Sequence, residues 1–399
     1  MKCLLIHQAF ASHADAGGTR HAELARYCEP MGLSFDIITS PVSYLTGRRK
    51  SPNHQNLPGV RVHEAWTLRG LHRNFLTRVL CFFSFMFSSV FAALKISRTD
   101  VIMGTSPPIF QAVSSWLVSL IRNKPFVLEI RDLWPEFAVD MGVLKNPVLI
   151  FLARRLERWL YRRADHIIVN SPAYPKYLME RNVPAEKITV IPNGVDAAMF
   201  TRDAPWKLPV PEPDPGKYHV VYTGALGPAN DIDTLIEAAN RLKSEDDIHI
   251  WLVGDGKDRS RLQRLVSEKK LGNVTFTGAV PKTAIPAILQ RIDLCVAILR
   301  NIPMFRTTYP NKVFDYMAAG KPTLLAIDGV IRDVIEAAGG GRFTTPGDSA
   351  ALAAAILEFK NNPEKGIRMG KQAQAYVAKY FDRSLQADQF LALLQELEA

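Results

Sequence analysis

The 399-residue chain reads as an α/β protein built from two doubly wound, Rossmann-like parallel-sheet domains. Three observations predict this. Short apolar runs of strand length alternate with helix-length periodic stretches, and each run is apolar on both faces, as strands covered by helices on both sides must be. The chain is also longer than one hydrophobic core usually serves. Near its middle, residues 201–217 carry prolines at 205, 209, 211, 213 and 215, a stretch that can neither continue a helix nor pair in a sheet and so reads as a linker.

In chain order, strands are expected at 2–7, 34–39, 101–104, 126–130, 166–170 and 189–191 in the first half. In the second half they are expected at 219–223, 248–254, 274–277, 294–298 and 322–326. Two domains, 1–200 and 218–375, follow on either side of the linker, and a helical pattern runs on from 363 to 398. Residues 79–94 hold no charge and include Phe82, Phe83, Phe85, Phe87 and Phe91. They fall short of the roughly 18–20 residues that cross a bilayer. A buried helix between strands is the first expectation, and an interfacial helix flanked by Arg69, Arg73 and Arg78 the second.

The composition, 47% hydrophobic and 22% charged, leaves no disordered class open. Of the 49 Lys+Arg and 39 Asp+Glu, residues 1–200 carry 24 against 15, whereas the remainder carries 25 against 24. Almost all the basic excess therefore lies in the first half, which suits an anionic membrane or a diphosphate-bearing lipid. No nucleic-acid module or basic-aromatic interleaving is visible, so nucleic acid is not an expected partner. Cys3, Cys28, Cys81 and Cys295 are scattered without C-x-x-C spacing, and no signal peptide is expected. A cytoplasmic protein without structural metal is expected.

The densest chemistry lies in residues 309–322, YPNKVFDYMAAGKP. Pro310 sets φ where a missing N–H costs nothing, Asn311 can cap, and the free amides of the first turn attract phosphate oxygens. Asp315, one turn in, can accept hydrogen bonds from vicinal hydroxyls such as those of a ribose. The same letters also describe a capped amphipathic helix ended by Gly320. Lys312, Arg300, Arg306 and Lys257 are the cations nearby in sequence. Gly17-Gly18 precedes a helical pattern without the G-x-G-x-x-G of a dinucleotide site. Arg20 opens that helix against its dipole, which an anionic ligand would explain. Arg131-Asp132 ends a buried strand, where ligands of open parallel sheets bind, with Trp134 and Glu136 close behind. Asp132 and Glu136 can orient a hydroxyl or simply pair with Arg131.

Five segments in this order resemble the retaining glycosyltransferases of family 4. They are Gly17-Gly18-Thr19-Arg20, Ile130-Arg131-Asp132-Leu133-Trp134-Pro135-Glu136, Val190-Ile191-Pro192-Asn193-Gly194-Val195-Asp196, Leu252-Val253-Gly254-Asp255-Gly256, and the 309–322 segment. The family's usual form of the last is Glu-Ala-Met-Ala-Cys/Ala-Gly-x-Pro, and Asp315 stands for the second of its paired glutamates. The Arg-Asp-Leu-Trp-Pro-Glu string is similar to that of L-fucosamine transferases of bacterial O-antigen and capsule assembly.

The resemblance implies a GT-B fold, two Rossmann-like domains facing across a cleft, with a C-terminal helix (376–399) crossing back to the first. It implies an acceptor domain over 1–200, with Arg131, Asp132 and Glu136 as catalytic candidates. The donor-binding candidates are Gly17, Gly18, Arg20, Gly224, Gly254, Val280, Arg300, Asn311, Lys312 and Asp315.

Three departures stand out. Thr307 sits where the first glutamate belongs, Arg131 replaces a histidine, and the arginine and lysine that clamp the diphosphate are missing from 223–231. More of the phosphate then falls to the backbone amides of Gly224 to Gly227 and of Asn311 and Lys312, backed by Arg300. Asp231-Ile232-Asp233 opens a helix rather than lining a metal loop, so no metal or cofactor is expected.

The function implied is transfer of a sugar from a nucleotide donor, a UDP-sugar such as UDP-N-acetyl-L-fucosamine, with retention. The acceptor would be a polyprenyl-diphosphate-linked saccharide of lipopolysaccharide O-antigen, capsule or exopolysaccharide at the inner face of the cytoplasmic membrane, with the enzyme peripheral on that face. A nucleotide-sugar epimerase of similar shape and a non-catalytic subunit of a polysaccharide assembly complex are the alternatives.

Overall fold

The computed structural model describes residues 1–43, 47, 49–50, 57–70, 73, 75–201 and 210–398. The chain forms two compact units: Met1–Asn193 with Arg383–Ala399, and Gly194–Asp382 between them. The sequence pattern put boundaries after residues 200 and 375; positions 202–209 of the expected linker lie outside the described residues.

Unit 1 runs β1 (Lys2–Ile6), α1 (Arg20–Cys28), β2 (Ser34–Thr39), β3 (Val60–Glu64), α2 (Phe75–Leu94), β4 (Val101–Ser106), α3 (Phe110–Arg122), β5 (Phe126–Ile130), α4 (Glu136–Asp140), α5 (Pro147–Arg163), β6 (His166–Val169), α6 (Tyr174–Met179) and β7 (Ile188–Val190). The seven strands are parallel in the order β3-β2-β1-β4-β5-β6-β7. Right-handed crossovers then put α2, α3 and α5 on one face and α1 on the other. Two buried clusters follow that division, one beneath α2 and α3 and one beneath α1.

Unit 2 runs β8 (Tyr218–Thr223), α7 (Ile232–Arg241), β9 (Ile248–Val253), α8 (Arg259–Glu268), β10 (Val274–Gly278), α9 (Ile285–Gln290), β11 (Leu294–Ile298), α10 (Asn311–Ala318), β12 (Thr323–Ala326), α11 (Val330–Ala338), β13 (Gly341–Phe343), α12 (Ser349–Asn361) and α13 (Pro363–Tyr380). Its six strands are parallel in the order β10-β9-β8-β11-β12-β13. One core lies under α9, α10, α11 and α13, the other under α7, α8 and α12.

Two strands escape the apolar-run rule. β3, Val-Arg-Val-His-Glu, is an edge strand whose charged side chains face water and the neighbouring Asp36. β13 is three residues long and begins on the last of three consecutive glycines. The C-terminal pattern also differs from expectation. It is not one helix over 376–399: α13 ends at Tyr380 and α14 (Arg383–Glu398) begins after Phe381-Asp382, so the chain passes between units within that break.

The helix spanning 79–94 differs from its first expectation too. It is not enclosed between strands, because only 22% of the Leu76–Leu94 window is buried.

α14 is welded to α1 by a buried ion pair. Arg383 Nε donates to Glu23 Oε2 at 2.8 Å, with both side chains almost fully inaccessible, while Phe390 stacks on Phe35 with ring centroids 6.2 Å apart. Removing one partner strands the other charge in the core. Arg383→Met should therefore lower unfolding free energy by about 3–5 kcal/mol. Adding Glu23→Gln should recover part of the loss; urea unfolding followed by circular dichroism checks both.

Candidate functional site

In an open parallel sheet the ligand crevice lies outside the carboxyl ends of the strands, where the strand order reverses. In unit 2 that point is between β8 and β11. Tyr316 of α10 is pinned there. Its hydroxyl accepts from the Thr223 N–H at 2.8 Å and donates to the Val296 carbonyl at 3.3 Å, tying α10 to both strands. α10 consequently presents its first turn at the reversal. Pro310, with φ of −67°, is the N-cap and no side chain caps the helix. The expected cap, Asn311, is instead the first helical residue, because proline already fixes the entry geometry; its Oδ1 is buried without a hydrogen-bond partner.

Lys312 is the centre of this arrangement. Its Nζ is buried, makes no hydrogen bond and lies 3.8 Å from the centroid of the Tyr222 ring. The chain beneath it is Gly224, at φ +135°, where a Cβ would stand 3.0 Å from Nζ. Gly254 is tighter still, since a Cβ there would fall 1.8 Å from the Gly224 carbonyl oxygen. Burial pushes the Lys312 ammonium down to about 7. A cation–π contact alone is a weak counterpart for a desolvated ammonium.

Asp315 is buried, and Lys282 places Nζ 2.5 and 2.6 Å from its two oxygens. Arg259 donates to Asp255 at 3.2 Å and lies over Gly278, while its Nε is buried without a partner. Arg300 is exposed, its amide bonded to the Ala229 carbonyl at 3.0 Å, and its charge bears on Asp231 and Asp233. Val280 is half-buried and packs on the core beneath α9 to α11. Lys257 is exposed, and Arg306 lies 3.8 Å from Asp328.

The same reversal in unit 1 lies between β1 and β4. Arg20 is buried there and donates to Glu129 at 2.8 Å and to the carbonyls of Ile191 and Pro192 at 2.8 and 2.6 Å. The anion that explains a cation at this helix start is Glu129, on the neighbouring strand β5, rather than a ligand. Glu129 also binds His21 at 2.7 Å. Gly17 and Gly18 are exposed in the loop before α1. Glu136 takes both arms of Arg154 at 2.8 Å, with Arg181 at 3.7 Å, which leaves it as an ion-pair partner rather than an open carboxylate.

Arg131 Nη2 lies 3.0 Å from His7 Nε2. A guanidinium can only donate, so His7 accepts at Nε2 and carries its proton on Nδ1. Burial, with Arg131, His21 and Lys50, holds His7 well below its usual value and keeps it neutral. His7 Nδ1 and Arg131 Nε are both buried donors without a hydrogen-bond partner, Arg131 Nε standing 4.0 Å from Glu129 Oε2. Beside them burial lifts Asp132 to about 6 against the pull of Arg131.

Thus the structure gathers Gly224, Gly254, Asn311, Lys312 and Asp315 in unit 2, and Arg131 and Asp132 in unit 1. His7, Glu129, Arg259 and Lys282 were missed. For Arg259 and Lys282 a signal existed: like Arg20, each is a cation at a helix start.

Glycosyltransferase sequence models match both units: "Glycosyl transferase 4-like domain" over residues 16–194 and "Glycosyl transferases group 1" over 207–376. Two doubly wound units with these signatures define the GT-B class. The chain belongs to the GT-B glycosyltransferases of family 4. It is 27% identical over 257 residues to WcaI of Escherichia coli K12, a glycosyl transferase named for colanic acid biosynthesis; the match covers 61% of this chain and 62% of that one. Less than two thirds of that relative is therefore spanned. The fold is similar to sucrose-phosphate synthase of Thermosynechococcus elongatus, with a TM-score of 0.78 and 20% identity over 99% of this chain and 98% of that one. It is also similar to Anabaena HepE in complex with UDP-glucose, with a TM-score of 0.72 and 20% identity over 99% and 100%.

Asp315→Ala should destabilise the fold as well as any ligand site, because it leaves Lys282 unpaired in the core. The expected loss is about 3–5 kcal/mol, read by thermal or urea unfolding. Adding Lys282→Met should restore part of it.

Proposed function

We propose that this protein transfers a sugar from a nucleotide donor to a lipid-linked saccharide in bacterial surface polysaccharide synthesis, with retention of anomeric configuration. Unit 2 takes the donor and unit 1 the acceptor. The observation that carries the donor assignment is the unpartnered Lys312 ammonium, buried at an N-terminal helix turn above the bare backbone of Gly224. A diphosphate answers both the ammonium and the free amides of α10. Lys312 thereby fills the role of the basic clamp that residues 223–231 lack. UDP as the carrier draws support from the fold shared with HepE, whose structure holds UDP-glucose. The polysaccharide setting draws support from the colanic acid relative. UDP-N-acetyl-L-fucosamine is the proposed donor.

In the proposed reaction the bond between the anomeric carbon and the diphosphate oxygen breaks as the acceptor hydroxyl oxygen bonds the same face of that carbon. The hydroxyl proton passes to the departing diphosphate. Lys312 and the α10 amides stabilise the negative charge that develops on the leaving group, which is the largest electrostatic demand of the step. Asp132, ionised above about pH 6, accepts a hydrogen bond from the acceptor hydroxyl and orients it. Arg131 and the His7 Nδ1–H donate to oxygens of the acceptor. With this charge supplied by the chain, no cation is assigned to the step.

Isothermal titration with UDP tests the donor site. Phosphate favours the charged lysine, so binding should take up a proton above pH 7, and affinity should fall as pH rises from 7 to 9. Lys312→Met should weaken UDP binding by roughly 10- to 100-fold, the range for hydrogen bonds to a charged group, and flatten that pH dependence. A chain that binds no UDP, as a non-catalytic assembly subunit would, overturns the proposal.

A donor-hydrolysis screen over UDP-, GDP- and dTDP-sugars in excess chelator should show turnover with UDP-sugars. Activity that returns only on adding Mg²⁺ or Mn²⁺ would transfer the leaving-group role to a metal.

A further inference from the structure

We infer that the outer face of the α2–α3–α5 layer of unit 1 docks on an anionic lipid surface, with Trp66, Phe87 and Phe91 among the acyl chains. α2 is apolar on both sides. Its inner stripe, Cys81, Phe85, Ser89 and Ala93, is fully buried, and Phe85 and Ala93 pack with Leu4, Ile38 and Ile102 of the strands. Its outer stripe faces solvent, with Leu76 and Phe91 each 68% exposed and Phe87 61%. The Leu76–Leu94 stretch is long and apolar enough to cross a membrane, at a mean hydropathy of 1.7. Yet its inner stripe completes the core of unit 1. The helix therefore lies along a bilayer rather than through it.

The outer stripe continues onto its neighbours. Ser114 of α3 donates to the Met86 carbonyl at 2.7 Å and Arg122 to the Ala93 carbonyl at 3.1 Å, so α2 and α3 run side by side in the same direction. α3 adds Leu120, 63% exposed. Trp116 meets Trp159 edge to face at 4.5 Å and joins α5 to the layer, which adds Phe151 and Leu152 on its first turns. Trp66, 65% exposed, is held against α2 by a 2.6 Å bond from Ser88 to its carbonyl. Exposed apolar residues gathered on one helical layer in this way mark an interaction site.

Charge selects the occupant. Residues 66–163 carry 14 Lys+Arg and 6 Asp+Glu, and of those six only Asp140 is exposed. A second copy of the chain would set the same positive field against itself, whereas an anionic bilayer takes both the apolar stripe and the basic rim. The helices of a parallel sheet return antiparallel to the strands. The first turns of α2 and α5 thus lie toward the carboxyl edge that carries His7, Arg131 and Asp132. Docking on this face brings that edge to the membrane, and in this it deepens the proposed use of a lipid-linked acceptor.

The test is co-sedimentation of the full chain with vesicles of phosphatidylcholine alone and with phosphatidylglycerol added, together with the change in tryptophan fluorescence that a Trp66→Phe variant loses. Binding should need the anionic lipid and weaken about tenfold or more at high salt. Phe87→Ser with Phe91→Ser should abolish it while leaving UDP affinity unchanged, since both side chains are exposed and far in sequence from the unit 2 site. Equal binding to neutral vesicles, or full retention by the double variant, overturns the inference. So does a concentration-dependent dimer that the double variant dissolves. A wild-type chain that binds anionic vesicles but no UDP would sink the donor proposal and leave this one standing.

Discussion

A cation held at the positive end of a helix needs an anion, and the candidate sites of both units are organised by where that anion comes from. Arg20, Arg259 and Lys282 each stand at a helix start against the local dipole, and each finds a carboxylate of the fold: Glu129, Asp255 and Asp315. Lys312 occupies the same kind of position with an aromatic face and no carboxylate. Pairing removes the first three as free ligands for a diphosphate. The fourth is left as the group whose charge an incoming anion must complete.

That asymmetry depends on the parallel sheets. Because each strand feeds a helix on the way back, the helix starts and the strand ends collect along one edge. The reversal of strand order opens a crevice in that edge in each unit. In unit 2 the Tyr316 hydroxyl ties α10 to both strands of the reversal and so fixes the helix turn that carries Lys312, whose ammonium lies over the Tyr222 ring. Glycine is required beneath it. Gly224 and Gly254 approach backbone to backbone at positive φ, and any side chain would fill the space above them. In unit 1 the same edge leaves two donors without a hydrogen bond, on His7 and Arg131, beside a carboxylate that burial has brought near neutrality of charge at mildly acidic pH.

The sequence by itself determined the architecture. Alternation of buried strands with helical periods was legible because a strand covered on both faces must be apolar throughout, whereas β3 and β13, at the sheet edges, obey no such rule. It also pointed to 309–322 and to Arg131-Asp132, since glycine, proline and charge at element ends leave few alternatives. Partners were decided only by tertiary structure. Lys282 lies 33 residues before Asp315, and Glu129 lies 109 after Arg20. No local pattern encodes such pairs, because a buried ion pair is satisfied across space by whichever carboxylate the sheet brings alongside. For the same reason residues 79–94 could not be assigned from their letters. A helix buried on both sides and one buried on a single side have the same composition, and only the packing of Cys81, Phe85, Ser89 and Ala93 shows which face the core had already taken.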